Sequence, residues 1–178
     1  KHAYQGEPLD MTPPWPRIPM LEAIKTYADI DVAGQSTEAL ATLCQERQIG
    51  MDTQLNRGKI IDGLFEFYVQ PILNNPTFIT DYPVEISPLA KRHRENPELT
   101  ERFELFICGS ECANAFSELN DPIDQRGRFE QQVEMQQKGD GEAHTMDEDY
   151  LRAMEYGMPP TGGCGIGIDR LGMLVTDS

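Results

Sequence analysis

The chain has 178 residues, 39% hydrophobic and 25% charged, which suits one domain with a real core and argues against a disordered segment. Its 30 acidic and 15 basic side chains give a net charge of −15, a surface that repels polyphosphate and so excludes non-specific nucleic-acid binding by this segment alone. No run approaches the ~20 apolar residues of a membrane span, and no charged-then-apolar stretch opens the sequence, so neither a span nor a retained secretory signal is predicted.

Residues 1–20 hold five of the 13 prolines. Pro13-Pro14-Trp15-Pro16 fits neither a helix interior nor a central strand, and an extended arm is predicted there. Over 21–75 the pattern becomes helical. Ser36 or Thr37 can cap a helix carrying Leu40, Leu43 and Cys44, with Gly50 closing it. A stronger helix is predicted over 59–69, where Ile61, Leu64, Phe65, Tyr68, Val69 and Ile72 recur at three and four and Pro71 marks the end. This block carries no cluster of chemically pointed residues and reads as a helical insertion.

From residue 76 strands and helices follow one another, the mark of an α+β fold. Thr77-Phe78-Ile79-Thr80 predicts a strand, Asp81-Tyr82-Pro83 a turn, and 91–96 a polar loop. Residues 103–108 and 111–119 read as a hairpin turned by Gly109-Ser110. Asp121-Pro122 opens a helix carrying Ile123, Phe129 and Val133 toward Gln137. Gly139-Asp140-Gly141 is a loop, Asp147 caps a short helix through Tyr156, and Gly157 ends it. A glycine-rich strand over 163–168 and a helix from Asp169 complete the pattern.

Three constellations carry chemistry. Strand alternation sets Asn114, Phe116 and Glu118 on one face. That face suits a pocket where Phe116 packs an aliphatic stem and Glu118 meets a cation; an exposed strand with one charge is the alternative. Glu104 and Glu111 lie on the two hairpin arms, and paired carboxylates can hold Mg²⁺. A turn at Gly109-Ser110 would pair Cys108 with Glu111 and leave Glu104 four residues, roughly 13 Å, farther along. The two meet only through a shifted register or a bulge; otherwise they are solvated edge charges. Third, Gly162-Gly163-Cys164-Gly165-Ile166-Gly167-Ile168-Asp169-Arg170 lets a flat ligand approach the backbone and ends on a planar cation suited to phosphate. It is neither a dinucleotide fingerprint nor a phosphate loop, and a tight turn with a surface Arg is the alternative.

The four cysteines, at 44, 108, 112 and 164, have no disulfide or zinc-finger spacing, and free thiols in a reducing cytoplasm are expected. The sequence begins without Met and stops straight after a strongly patterned segment, so both ends are expected to be cut from something longer.

Several runs together resemble the class II lysyl-tRNA synthetases. They are Thr12-Pro13-Pro14-Trp15, Ile86-Ser87-Pro88-Leu89-Ala90-Lys91, Thr100-Glu101-Arg102-Phe103-Glu104-Leu105-Phe106, Glu111 with Asn114-Ala115-Phe116-Ser117-Glu118-Leu119-Asn120-Asp121-Pro122, and Gly157-Met158-Pro159-Pro160-Thr161-Gly162-Gly163 into Gly165-Ile166-Gly167-Ile168-Asp169-Arg170-Leu171. The resemblance implies an antiparallel sheet flanked by helices, with residues 1–20 as an arm, 21–75 as a helical insertion and 76–178 as the C-terminal part of the catalytic domain with its third motif. It implies metal-binding glutamates at Glu104 and Glu111 and lysine contacts at Asn114, Phe116 and Glu118. ATP contacts are implied at Glu111, Cys112, Gly167, Ile168, Asp169 and Arg170, with Arg170 catalytic on the phosphates. Mg²⁺, ATP, lysine and tRNA(Lys) are the implied cofactor and partners of a homodimeric, cytoplasmic, non-membrane enzyme. The family's anticodon-binding barrel and its first two motifs find no counterpart, so this segment alone is expected to be inactive. A lysyl-transferase paralogue acting on a protein, an aspartate- or asparagine-type synthetase, and a non-catalytic module built on a synthetase remnant are the alternatives. Glu118 argues for lysine over aspartate, and the Pro159-Pro160-Thr161-Gly162-Gly163 run for a true synthetase.

Overall fold

In the computed structural model, which describes residues 2–50 and 56–178, a five-stranded sheet runs in the order β3-β4-β5-β6-β7. Its strands are β3 (Arg17–Pro19), β4 (Thr77–Thr80), β5 (Arg102–Ile107), β6 (Ser110–Ser117) and β7 (Gly162–Ile166). All neighbours pair antiparallel except β3 with β4. The expected α+β class, with an antiparallel sheet flanked by helices, is what forms. Within 1–20 the chain makes a small hairpin, β1 (His2–Tyr4) with β2 (Glu7–Leu9), before β3 joins the sheet edge.

Three helices follow: α1 (Met20–Ala28), α2 (Thr37–Glu46) and α3 (Arg57–Tyr68). Ser36 caps α2 by accepting from the Ala39 N–H, and Asn56 caps α3 by accepting from the Lys59 N–H. Residues 51–55 of the helical stretch lie outside the described residues. Ile60, Ile61, Leu64 and Phe65 of α3 pack with Met20 and Ile24 of α1, and with Ile79 and Phe106 of the sheet, in one core. The Phe65 and Phe106 rings meet edge-on at 5.3 Å. No helix among the described residues is long and apolar enough to cross a membrane.

Helix α4 (Pro122–Gln137) starts at an Asp121 cap as expected, but the apolar positions do not set its buried face. Ile123 is exposed, whereas Gln125, Arg128 and Gln132 are buried beside Phe129 and Met135. The reason is the irregular stretch 85–90, whose carbonyls have few ladder partners and need donors. Arg128 Nη1 donates to Ser87 O at 3.2 Å, Gln125 Nε2 to Pro88 O at 3.0 Å, and Gln132 Nε2 to Glu85 O at 3.4 Å. Helices α5 (Glu148–Glu155), capped by Asp147, and α6 (Ile168–Thr176) complete the chain. Leu174 of α6 packs on Ile107, Cys112 and Leu9 at the far side of the sheet.

Candidate active site

The β5–β6 hairpin turns one residue earlier than its sequence suggests. Cys108 (φ 50) and Gly109 (φ 69) are the central residues, and Ile107 pairs with Ser110. A two-residue hairpin turn needs positive φ at both centres, which Gly109 supplies freely and Cys108 with some strain. Three hydrogen bonds hold it: Cys108 N to Asn74 O, Gly109 N to Leu73 O, and Gln70 Nε2 to Gly109 O, each 2.9 Å. The shift places Glu111 opposite Phe106, so Glu104 stands only two residues away, about 7 Å along the strand.

A bulge then decides which side chains share a face. Phe106 pairs with Glu111 but Leu105 with Ala113, which leaves Cys112 as the extra residue. In a regular strand, positions 111 and 114 would point to opposite faces. With the bulge, Asn114 pairs with Glu104 and Phe116 with Arg102, on the face that also carries Glu111. Glu118 joins them, since its carboxylate lies where a Cβ on Gly163 would project, and Gly163 is the β7 partner of Phe116. Asn114, Phe116 and Glu118 therefore stand on one face with Glu104 and Glu111.

Arg102 organises this face, although the sequence reading gave it no role. Its Nη2 meets Glu104 Oε1 at 2.5 Å, its Nε donates to Asn114 Oδ1 at 3.2 Å, and its Nη1 donates to Ile86 O at 2.9 Å. The guanidinium also lies 4.5 Å from the centre of the Tyr82 ring, whose hydroxyl donates to Glu104 Oε2 at 2.8 Å. Period two along β5, with a cation two residues before a carboxylate, is the signal that marks it.

Glu104, Glu111, Arg102 and Arg170 line a cavity of about 420 Å³ beneath α3 and the 139–144 loop. Seven acidic side chains line it (Asp62, Glu66, Glu85, Glu104, Glu111, Asp140 and Glu142) against the cations Lys59, Arg102 and Arg170. Lys59 is paired with Glu142 at 2.9 Å and Asp140 at 3.6 Å, and Arg102 is tied to Glu104. Burial raises the Glu104 carboxyl above its ordinary range, opposed by Arg102 and by the Tyr82 hydrogen bond and reinforced by Glu111. Glu104 and Glu111 offer oxygen donors of the kind a hard divalent cation takes, on one face of an acid-rich cavity, with the Glu104 oxygens held by Arg102 and the Tyr82 hydroxyl. Among the described residues no group of three or more His, Cys, Asp or Glu could enclose a metal, so substrate oxygens would have to complete its shell.

The remaining positions divide. Arg170 reaches the cavity from the first turn of α6; its Nη1 donates to the Glu111 carbonyl and lies 3.6 Å from Glu111 Oε2. Gly167 caps α6, and its N–H donates to Cys112 O at 2.9 Å, while Ile168 and Asp169 are exposed. The Cys112 side chain is not brought to the cavity: it is buried among Leu9, Ile107 and Leu174 on the opposite face, because the bulge turns it there. Strand β7 spans 162–166 and α6 begins at Ile168, slightly earlier than predicted at both ends.

The family of tRNA synthetases class II (D, K and N) matches residues 1–178. The chain belongs to this class II synthetase family. It is 60% identical over 181 residues to a lysine–tRNA ligase of Pelotomaculum thermopropionicum, covering 100% of this chain and 36% of that protein. It is 61% identical over 180 residues to a lysine–tRNA ligase of Moorella thermoacetica, covering 98% and 36%. A third, from Thermotoga maritima, is 54% identical over 178 residues, covering 100% and 35%. The chain thus spans about a third of the length of the curated relatives it matches.

This class II synthetase chain carries a further unusual carboxyl, Asp62 of α3. Burial, then the charges of Glu66 and Glu104, raise it from 3.8 to about 7. The folded state therefore keeps a proton that the unfolded chain releases, and this group's contribution to stability falls as pH rises from about 4 to about 7. The full loss is at most about 4 kcal/mol, and less because the side chain is only half-buried. Asp62→Asn is expected to raise the thermal midpoint more at pH 8 than at pH 5. Equal shifts at both pH values would refute the assignment.

Proposed function

We propose that this chain is the C-terminal part of the catalytic domain of a lysine–tRNA ligase. The whole enzyme activates lysine with ATP to lysyl-adenylate, releasing pyrophosphate, and then transfers lysine to the 3′ end of tRNA(Lys), releasing AMP. The observation that carries this reading is the single sheet face running from Arg170 and Glu111, through Asn114 and Phe116, to Glu118. One end is suited to a metal-bound triphosphate, and the other carries an anion suited to an ammonium.

In this reading Asn114 and Phe116 hold the lysine backbone and stem, and Glu118 accepts from the ammonium. The lysine carboxylate is thereby held against the α-phosphorus, which it attacks while pyrophosphate departs, so no enzyme nucleophile is needed. Arg170 binds the phosphates as negative charge shifts toward the leaving group. Glu104 and Glu111 would hold Mg²⁺, which neutralises phosphate charge when bound. Gly167, Ile168 and Asp169 would contact the nucleotide through the start of α6, and Cys112 through its backbone alone.

Cysteines at 44, 108, 112 and 164, without the spacing of a disulfide framework, support a reducing, cytoplasmic setting. The net charge of −15 leaves most tRNA contact to the rest of a homodimeric parent. ATP/pyrophosphate exchange on the full-length protein, beside this 178-residue segment, tests the reading. Lysine-dependent exchange is expected from the full-length protein and none from the segment. Exchange that depends on aspartate or asparagine, the other branches of the family, would overturn it.

A further inference from the structure

Gly163 lies on β7 directly opposite Phe116, so a side chain there would project from the face that carries Phe116 and Asn114. That space is already filled. A Cβ on Gly163 would stand 3.1 Å from Glu118 Cδ and 3.8 Å from Cγ, and would overlap Oε1. Its neighbours differ: a Cβ on Gly162 meets nothing within 4 Å, and one on Gly165 approaches only Asn114 O, at 3.8 Å. Gly163 is not among the positive-φ residues, so alanine is allowed there by the backbone. The Glu118 backbone is fixed by its N–H donating to Thr161 O at 2.9 Å and by a bridge to Ala90. An added methyl therefore has one thing to displace, the carboxylate end of Glu118.

We propose that Gly163 is the positioning residue for Glu118. Its missing side chain lets the carboxylate lie across β7 at the end of the Asn114–Phe116 strip, and so sets selectivity for an amino acid with a distal ammonium. This rests on the reading of Glu118 as the counter-charge of lysine. A charge-assisted contact depends on placement, and a shift of about 1 Å in a positioned group can cost 10²-fold in rate.

The test is lysine-dependent ATP/pyrophosphate exchange and lysine titration on the full-length protein carrying Gly163→Ala, Glu118→Gln, or both together. Gly163→Ala is expected to raise KM for lysine at least about tenfold with KM for ATP within about twofold. Its thermal midpoint should stay with the parent's, because only the end of a flexible side chain must move. In the Glu118→Gln background, Gly163→Ala should add less than about twofold, the non-additivity of two residues acting through one contact. Three results overturn the inference while leaving Glu118 in its role: Gly163→Ala is silent while Glu118→Gln is impaired, or its effect adds in full to that of Glu118→Gln, or it fails to fold. Normal lysine activation by Glu118→Gln overturns both the inference and the reading beneath it.

Discussion

Replacing Glu118 by Gln in the full-length protein is expected to lower kcat/KM for lysine activation at least about tenfold, equivalent to ~1.4 kcal/mol. The amide keeps the shape of the carboxylate and its place beside Gly163, so the substitution removes charge and little else. Burial already raises the Glu118 carboxyl above its ordinary range, so the site keeps this anion partly dry. An incoming ammonium then meets a partner that water screens poorly, and such a contact is worth roughly 1.5–3 kcal/mol. The raised carboxyl also fixes the sign of the pH effect. Protonation removes the attraction, so lysine affinity should fall on acidification sooner than an ordinary glutamate would dictate. ATP affinity should change little, because Arg170 and Glu111 act at the other end of the face. A variant that loses ATP as severely as lysine would show that Glu118 serves the site as a whole and not the amino acid.

What could be read from residues alone, and what could not, separates cleanly in the hairpin. Alternation placed Asn114, Phe116 and Glu118 on one side, and helix caps at Ser36, Asp121 and Asp147 are local signals that the structure realises. The turn was misplaced by one residue because Gly109-Ser110 is the favourable local pair. Burial of Phe106 in one core and Ile107 in the other outweighs the strain at Cys108. The bulge has no local signature either. Residues 111 and 114 differ in parity, and only the demand that Cys112 join Leu174 and Ile107 in an apolar cluster shows where the extra residue goes. Helix α4 fails for a related reason: its buried Arg128 and Gln125 answer carbonyls 37 to 41 residues away, which no periodicity records.

Arg170→Ala is expected to cost the full-length protein about 10²–10³ in kcat for exchange, the scale of losing one preorganised donor to a transition-state charge. The cavity's own charges lead to this figure. With seven acids against three cations, a triphosphate is repelled unless positive charge faces it. Lys59 is committed to Glu142 and Asp140, and Arg102 to Glu104 and Asn114. Arg170 keeps 53% of its side-chain surface exposed and is steadied by the Glu111 carbonyl through one Nη, so the rest of its fork can meet phosphate oxygens. Arg170→Lys should recover little, since a point charge on a flexible stem cannot hold both the carbonyl and a planar, bidentate contact. The thermal midpoint should move little in either variant, because a half-exposed side chain contributes little to packing. Near-normal exchange by Arg170→Lys would reduce its role to charge alone. Near-normal exchange by Arg170→Ala would leave the phosphates to a metal at Glu104 and Glu111 and to groups outside this segment.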